Sequence, residues 1–178
     1  MRADGKRVKD LPPIVAAVPY IMPKRYDAQN TVTEYVDEEI IKSYIREKRR
    51  AGTRIDHMSV IISAYYKAVQ KNPKLNYFVM NSKIYERNHF CVSFVILKKL
   101  PDGRPDETTL KIFLEPTDTV FSVYEKIVTN IEKNSATEQK NATDKFARMM
   151  FSLPLLPKLV VSLAYGLDRL GLLPRKII

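Results

Sequence analysis

The order of elements along the 178-residue chain predicts an α+β fold, with helices packed on a mixed β-sheet. Residues 37–52 and 56–73 carry apolar side chains at helical spacing. Residues 75–99 instead show the pattern of extended chain, which suits a short hairpin followed by a long strand. Residues 108–115 are suited to pair with that strand. A hydrophobic fraction of 45% over this length is enough for the core of one domain.

Residues 1–30 are expected to form an extended arm, because their prolines disfavour a helix (Pro12, Pro13, Pro19 and Pro23). The domain is then expected to occupy residues 31–178. It starts with TVTEYVD at 31–37, where small or polar residues alternate with apolar ones, a pattern that predicts a strand.

Two helices follow, and both have recognisable ends. Asp37 is a suitable N-cap for the first, and Gly52 is suited to its C-terminal turn. Asp56 is a suitable N-cap for the second, and Pro73 ends it. The apolar positions expected to face the core from the second helix are Met58, Ile61, Ile62, Tyr65, Ala68 and Val69.

The remaining elements are strands followed by helices. Asn81-Ser82 is expected to form the hairpin turn, and the strand from Phe90 is apolar on both faces, which is typical of a central strand. Thr117 or Asp118 is expected to cap the next helix. Residues 134–144 are polar, as in a loop or a loosely held helix, and residues 145–173 suggest two short apolar helices.

A formal charge of +10 invites a nucleic-acid partner, but the cations are scattered and no nucleic-acid-binding motif accompanies them. An anionic small molecule, such as a nucleotide-bearing cofactor, explains the same charge. Arg46, Arg49 and Arg50, with Arg54, could hold its phosphates through bidentate contacts. The same cluster is equally well explained as a solvated helix end, where cations favour the dipole.

The single cysteine, Cys91, allows neither a disulfide nor a cysteine metal site within one chain, and it is expected to be a structural thiol. His57 and His89 are the only histidines, and neither lies in a catalytic or metal-binding motif, so we expect no metal and no catalytic histidine here. The chain has no predicted signal peptide or membrane span, so a soluble, cytoplasmic protein is expected.

Between residues 31 and 79 three motifs occur in the order that a known family shows. TVTEYVD, then YIREKRRAG, then RIDHMSVIISAYYKAVQKNPKLNYFV resembles the acyltransferase catalytic domain of 2-oxo acid dehydrogenase complexes, which shares its fold with chloramphenicol acetyltransferase. The Pro-x-Leu-Asn motif with its preceding helix carries most of the resemblance. MPKRYDAQN (22–30) and KIYERNHFCVSFVILKK (83–99) resemble the stand-alone relatives, and the match runs from about Tyr20 to the end.

The resemblance implies acyl transfer between coenzyme A and a small acceptor, in a homotrimer. It also implies that the three arginines contact the cofactor's phosphates and that the helix over 56–72 lines the acyl channel. In the family a histidine of a His-x-x-x-Asp-Gly motif is the general base, and the tetrahedral intermediate also needs an oxyanion stabiliser.

The sequence departs from the family where the chemistry should be. It contains no His-x-x-x-Asp-Gly, it lacks the family's later Thr/Ser-rich strand, and Ser63 replaces the lysine of the family's Lys-Ala pair. Residues 31–178 are therefore expected to be a partial acyltransferase-like domain that lacks its C-terminal part and is inactive alone. A non-catalytic binding or assembly module on the same scaffold is the alternative. Association with a membrane surface through the basic charge and the apolar tail is a weaker one.

Overall fold

The computed structural model describes residues 2–99, 105–135 and 157–172. The helices are α1 (Pro13–Ile21), α2 (Glu38–Arg50), α3 (His57–Lys71), α4 (Val120–Ser135) and α5 (Pro157–Leu170), with 3₁₀ turns at Arg25–Ala28 and Pro73–Asn76. The strands are β1 (Gly5–Arg7), β2 (Tyr77–Met80), β3 (Lys83–Arg87), β4 (Phe90–Lys99) and β5 (Pro105–Leu114). The predicted α+β class is confirmed.

The strands form two antiparallel sheets rather than one mixed sheet. The first has the order β1-β3-β2, and the second consists of β4 and β5. In the part of the chain that the structure describes, the predictions of a mixed sheet and of a central β4 are therefore wrong. Each hairpin pairs strands that are neighbours in sequence, which favours antiparallel order, and the outward residues Val95 and Leu97 stay exposed.

The core lies between the inner face of the β4–β5 sheet and helices α3 and α4. Alternate residues of the two strands point inward, and register pairs Phe90 with Leu114 and Val92 with Ile112. The buried side chains that form one cluster are Tyr66, Val69, Phe90, Ile112, Leu114, Val123 and Ile127. This apolar layer fixes α3, and with it the turn that follows, against β4.

Helices α2 and α3 form where the sequence predicts them, because each has its own stop and start signals. The Asp37 carboxylate accepts a hydrogen bond from the Glu39 amide at 2.9 Å. At the other end of α2, Gly52 has a φ of 82°, and the Gly52 and Thr53 amides donate to the carbonyls of Arg49 and Lys48.

Helix α3 has a reciprocal cap. The Ser59 amide donates to the Asp56 carboxylate at 2.7 Å, and the Asp56 amide donates to the Ser59 hydroxyl at 3.1 Å. The prediction is wrong for two positions of the buried stripe, since Ile61 and Tyr65 are 57% and 52% exposed, whereas Tyr66 is buried. Ile62, Tyr66 and Val69 have helical spacing too, and they pack in the core cluster.

The predicted extended arm is wrong for residues 13–21, which form α1. Pro13 is at the first helical position, where its missing N–H and its fixed φ do not destabilise a helix. Pro19 lies inside the helix and is its buried residue. The predicted strand over 31–37 is also wrong. These residues are irregular and exposed, with Tyr35 at 96%, and none of the described strands pairs with them.

The hairpin turn at Asn81-Ser82 is confirmed. Both residues have a positive φ, 51° and 54°, as the twist of a two-residue hairpin requires. The predicted cap of α4 is displaced: Thr119, not Thr117 or Asp118, exchanges hydrogen bonds with Ser122. α4 extends through the start of the predicted polar loop to Ser135, and the rest of that loop and the first of the two apolar helices lie outside the described residues.

Arg2 joins the first sheet to α5. Its Nε lies 2.9 Å from Oδ1 of Asp4, and its Nη2 lies 2.6 Å from Oδ1 of Asp168. The guanidinium also lies 5.6 Å from the ring centroid of Phe78. We call Arg2, Asp4 and Asp168 the Arg2 ion cluster. It holds the C-terminal end of α5 near β1. Next to it, the side-chain amide of Asn81 donates to the Arg169 carbonyl at 2.8 Å.

Candidate functional site

The three arginines predicted to hold phosphates share one exposed face of α2. At about 100° per residue, Arg46, Arg49 and Arg50 fall within an arc of roughly 100°. The buried side chain of α2, Ile45, points elsewhere. Arg46 Nη2 lies 2.9 Å from Oε2 of Glu39, so one of the three already has an anionic partner. A phosphate could reach this face without disturbing the core.

The turn after α3 carries the Pro-x-Leu-Asn motif and ties the helix to the second sheet. Pro73 begins a 3₁₀ turn that ends at Asn76, and β2 starts at the next residue. The Asn76 side-chain amide donates to the His89 carbonyl at 2.9 Å, one residue before β4. This hydrogen bond explains why a compact amide occupies the corner: it satisfies a main-chain acceptor at the junction of the two sheets.

A cleft of about 330 Å³ opens at this corner, and we call it the corner cleft. Tyr66 and Val69 form its apolar side, and Glu86, Arg87 and His89 form its polar side. Burial raises the pKa of the Tyr66 phenol, so this hydroxyl stays protonated at neutral pH. The His89 ring packs on Phe113 at a centroid distance of 5.3 Å. The cleft can therefore bind a positively or a negatively charged group next to its apolar wall.

The other candidate residues are dispersed. His57 is exposed in the first turn of α3, and the Cys91 thiol is half-buried on β4. Within the described residues, no group of three or more histidine, cysteine or acidic side chains could hold a metal ion. None of the described helices is both long and apolar enough to cross a membrane.

The Pro-x-Leu-Asn motif pointed to the corner at Asn76, whereas Tyr66, Glu86 and Arg87 were not predicted as cleft residues. The helical spacing of Tyr66 with Ser59 and Val69 was a usable signal. The positions of Glu86 and Arg87 depend on how β3 lies beside the end of α3, and no local pattern encodes that arrangement.

Comparisons with family models, with curated proteins and with solved structures find no match to this chain.

Proposed function

We propose that the chain is a coenzyme A-dependent acyltransferase-family domain with a chloramphenicol acetyltransferase-like fold. It handles an acyl group passed between coenzyme A and a small acceptor, forms a homotrimer, and does not turn over acyl-coenzyme A by itself. The observation that carries the proposal is the corner after α3. Pro73 and Asn76, the residues of the motif with the strongest resemblance, form the turn that joins α3 to β2, and Asn76 is hydrogen-bonded to His89.

The charge on α2 supports a phosphate-bearing cofactor. Arg46, Arg49 and Arg50 present guanidinium groups on one exposed face, and guanidinium groups bind phosphate oxygens in pairs. Helix α3, which lies next to α2, has a cleft at its C-terminal end, where an acyl or acceptor group could lodge. We therefore assign the cofactor's phosphates to the arginine face of α2.

Catalysis needs groups that this sequence lacks. A tetrahedral intermediate forms only when a base accepts the acceptor's proton and donors stabilise the oxyanion. The only histidines are His57 and His89, and neither begins a His-x-x-x-Asp-Gly motif. We therefore expect coenzyme A binding without turnover of acyl-coenzyme A.

Calorimetric titration with coenzyme A tests the proposal. Replacing Arg46, Arg49 and Arg50 together by Gln should weaken binding by about tenfold for each guanidinium–phosphate hydrogen bond removed, since a hydrogen bond between charged groups contributes about 1.5–3 kcal/mol. The matched control replaces three exposed cations near the N-terminus by Gln: Lys6, Arg7 and Lys9. It removes the same charge and should leave the affinity unchanged.

Two outcomes decide against the proposal. A folded protein that releases no heat at millimolar coenzyme A removes the cofactor claim and favours the non-catalytic module. Equal reductions of affinity in the two triple variants would show that net charge, rather than a site on α2, attracts the ligand.

A further inference from the structure

A separate cleft of about 410 Å³ lies between α2, α3 and the first turn of α4, and we call it the three-helix cleft. Its walls are mainly apolar, with Val60 and Ala64 from α3, Val120 and Phe121 from α4, and the Tyr44 ring from α2. Since liquid water occupies about 30 Å³ per molecule, the space holds roughly a dozen non-hydrogen atoms. Its size and lining suit a short aliphatic chain.

The two charged side chains that line this cleft are Lys67 and Asp118, and only one of them is compensated. Asp118 Oδ2 lies 2.6 Å from Nζ of Lys126. The Glu115 amide donates to Oδ2 of Asp118 at 2.7 Å as well, so this carboxylate already has a cation and a main-chain donor. Lys67 is exposed and forms no ion pair with any described carboxylate. Lys67 is therefore the charged side chain of this lining that has no described counter-ion.

The hydroxyl of Ser63 provides an independent observation. Its oxygen is buried, and within the described part of the chain it has no hydrogen-bond partner. Serine inside a helix commonly donates to the carbonyl four residues earlier, and this one does not. Ser63 and Lys67 are four residues apart, so their side chains are neighbours on the same face of α3. A hydroxyl and an ammonium group thus lie together in the wall of an apolar cleft.

We propose that the three-helix cleft binds the carboxylate of a short straight-chain aliphatic acid. The carboxylate lies on Nζ of Lys67 and accepts a hydrogen bond from Oγ of Ser63, and the chain packs against the apolar walls. A carboxylate offers two acceptor oxygens, which suits one donor on each side chain. Coenzyme A takes no part in this binding, so the proposal goes beyond the function proposed above.

Octanoate, with about ten non-hydrogen atoms, is a suitable probe for a space of this size. Titration followed by amide chemical shifts should show saturable shifts along α3 and the start of α4. Octanol, which has the same chain without the charge, should bind about tenfold more weakly, because it cannot form the charged hydrogen bond to Lys67. Equal affinities for octanoate and octanol would overturn the assignment of the head group.

Three substitutions locate the site. Lys67→Gln should weaken octanoate binding by about tenfold, whereas Lys71→Gln, one turn further along α3 and outside the cleft, should leave it unchanged. Ala64→Phe should abolish binding by filling the space. Ala64 is exposed, so this variant should keep its fold, and circular dichroism checks that it does.

Two results would contradict the proposal. One is the absence of saturable octanoate binding to the folded protein, and the other is an equal reduction of octanoate affinity in the Lys67 and Lys71 variants. The triple arginine variant of α2 should bind octanoate normally. This expectation separates failure here from failure of the coenzyme A proposal.

Discussion

The two sheets of this protein are attached to their helices by different kinds of interaction. The β4–β5 sheet packs an apolar face on α3 and α4, where Val123 and Ile127 are 1% and 2% exposed. The β1-β3-β2 sheet is joined to α5 through charges, and Arg2 and Asp4 are almost fully buried at that joint. The attachment of the β4–β5 sheet depends on apolar area removed from water, and that of the β1-β3-β2 sheet depends on a few hydrogen bonds between charged groups.

The difference predicts which region opens first. Apolar packing is spread over many side chains, so no single contact decides whether it holds. In the Arg2 ion cluster, the attachment of α5 to the first sheet depends on one guanidinium group. The apolar side chains of Leu163 and Tyr165 on α5 stay exposed. Regions with few buried apolar contacts open at low free energy. We therefore expect α5 and β1 to exchange amide hydrogens well before α3 and α4 do.

The largest effect is expected from a cavity in the apolar layer. Ile127→Ala should lower the free energy of unfolding by about 3 kcal/mol, because it removes buried methyl groups from a closely packed site. Urea unfolding measures the change. Ile61→Ala is the matched control, since Ile61 is 57% exposed on α3, and it should cost less than about 0.5 kcal/mol. Similar destabilisation in the two variants would mean that the core is not where we place it.

Removal of Arg2 should have the next largest effect, and a local one. Arg2→Ala leaves the buried Asp4 carboxylate without the cation that it pairs with. We expect this change to lower the stability of the attachment by about 2 kcal/mol, because β1 and α5 can detach without global unfolding. Hydrogen exchange should accelerate in β1 and α5 while α3 keeps its protection. Arg7→Ala, at an exposed position of β1, is the control and should change neither region. Faster exchange throughout α3 would contradict the division.

Acidification should destabilise both regions, with a smaller effect than either of these substitutions. Burial of Asp4 opposes its ionisation, but its hydrogen bonds and ion pair with Arg2 outweigh burial and lower its pKa. The pKa of Asp118 is also lowered, because hydrogen bonds from Lys126, the Glu115 amide and Ser122 outweigh its burial. The unfolded chain takes up these protons at about pH 3.9, and the native protein only at lower pH.

Stability should therefore be fully present well above that pH and fall as the solution is acidified through the native pKa values. Urea midpoints between about pH 6 and pH 2 measure the fall. Asp118→Asn should reduce the acid dependence of the α3–α4 region, and Asp4→Asn should reduce that of β1 and α5. A pH dependence unchanged in both variants would assign the effect to other carboxylates.

The parts of the fold that the sequence predicts well are those encoded locally. Asp56, Ser59 and Pro73 mark the ends of α3 within a few residues, and Asn81 with Ser82 specifies a turn through its own backbone preference. The arginine face of α2 was predictable for the same reason, since helical spacing alone brings the three side chains together.

The parts that could not be predicted depend on distant partners. The alternation at 31–37 is compatible with a strand, but a strand forms only beside another, and none of the described strands pairs with it. The Arg2 ion cluster joins residues 166 positions apart, which no local pattern encodes. The three-helix cleft likewise depends on how α4 docks on α3, whereas its members Ser63 and Lys67 look ordinary in the sequence.

The Arg2 ion cluster has a consequence for synthesis of the chain. Asp168 is synthesised 166 residues after Arg2. At about 5–20 residues per second, this interval is roughly 8 to 33 seconds. Throughout that time Asp4 is the member of this cluster that Arg2 can already contact. Attachment of β1 to α5 therefore follows the synthesis of every residue in the apolar layer, which has had time to form.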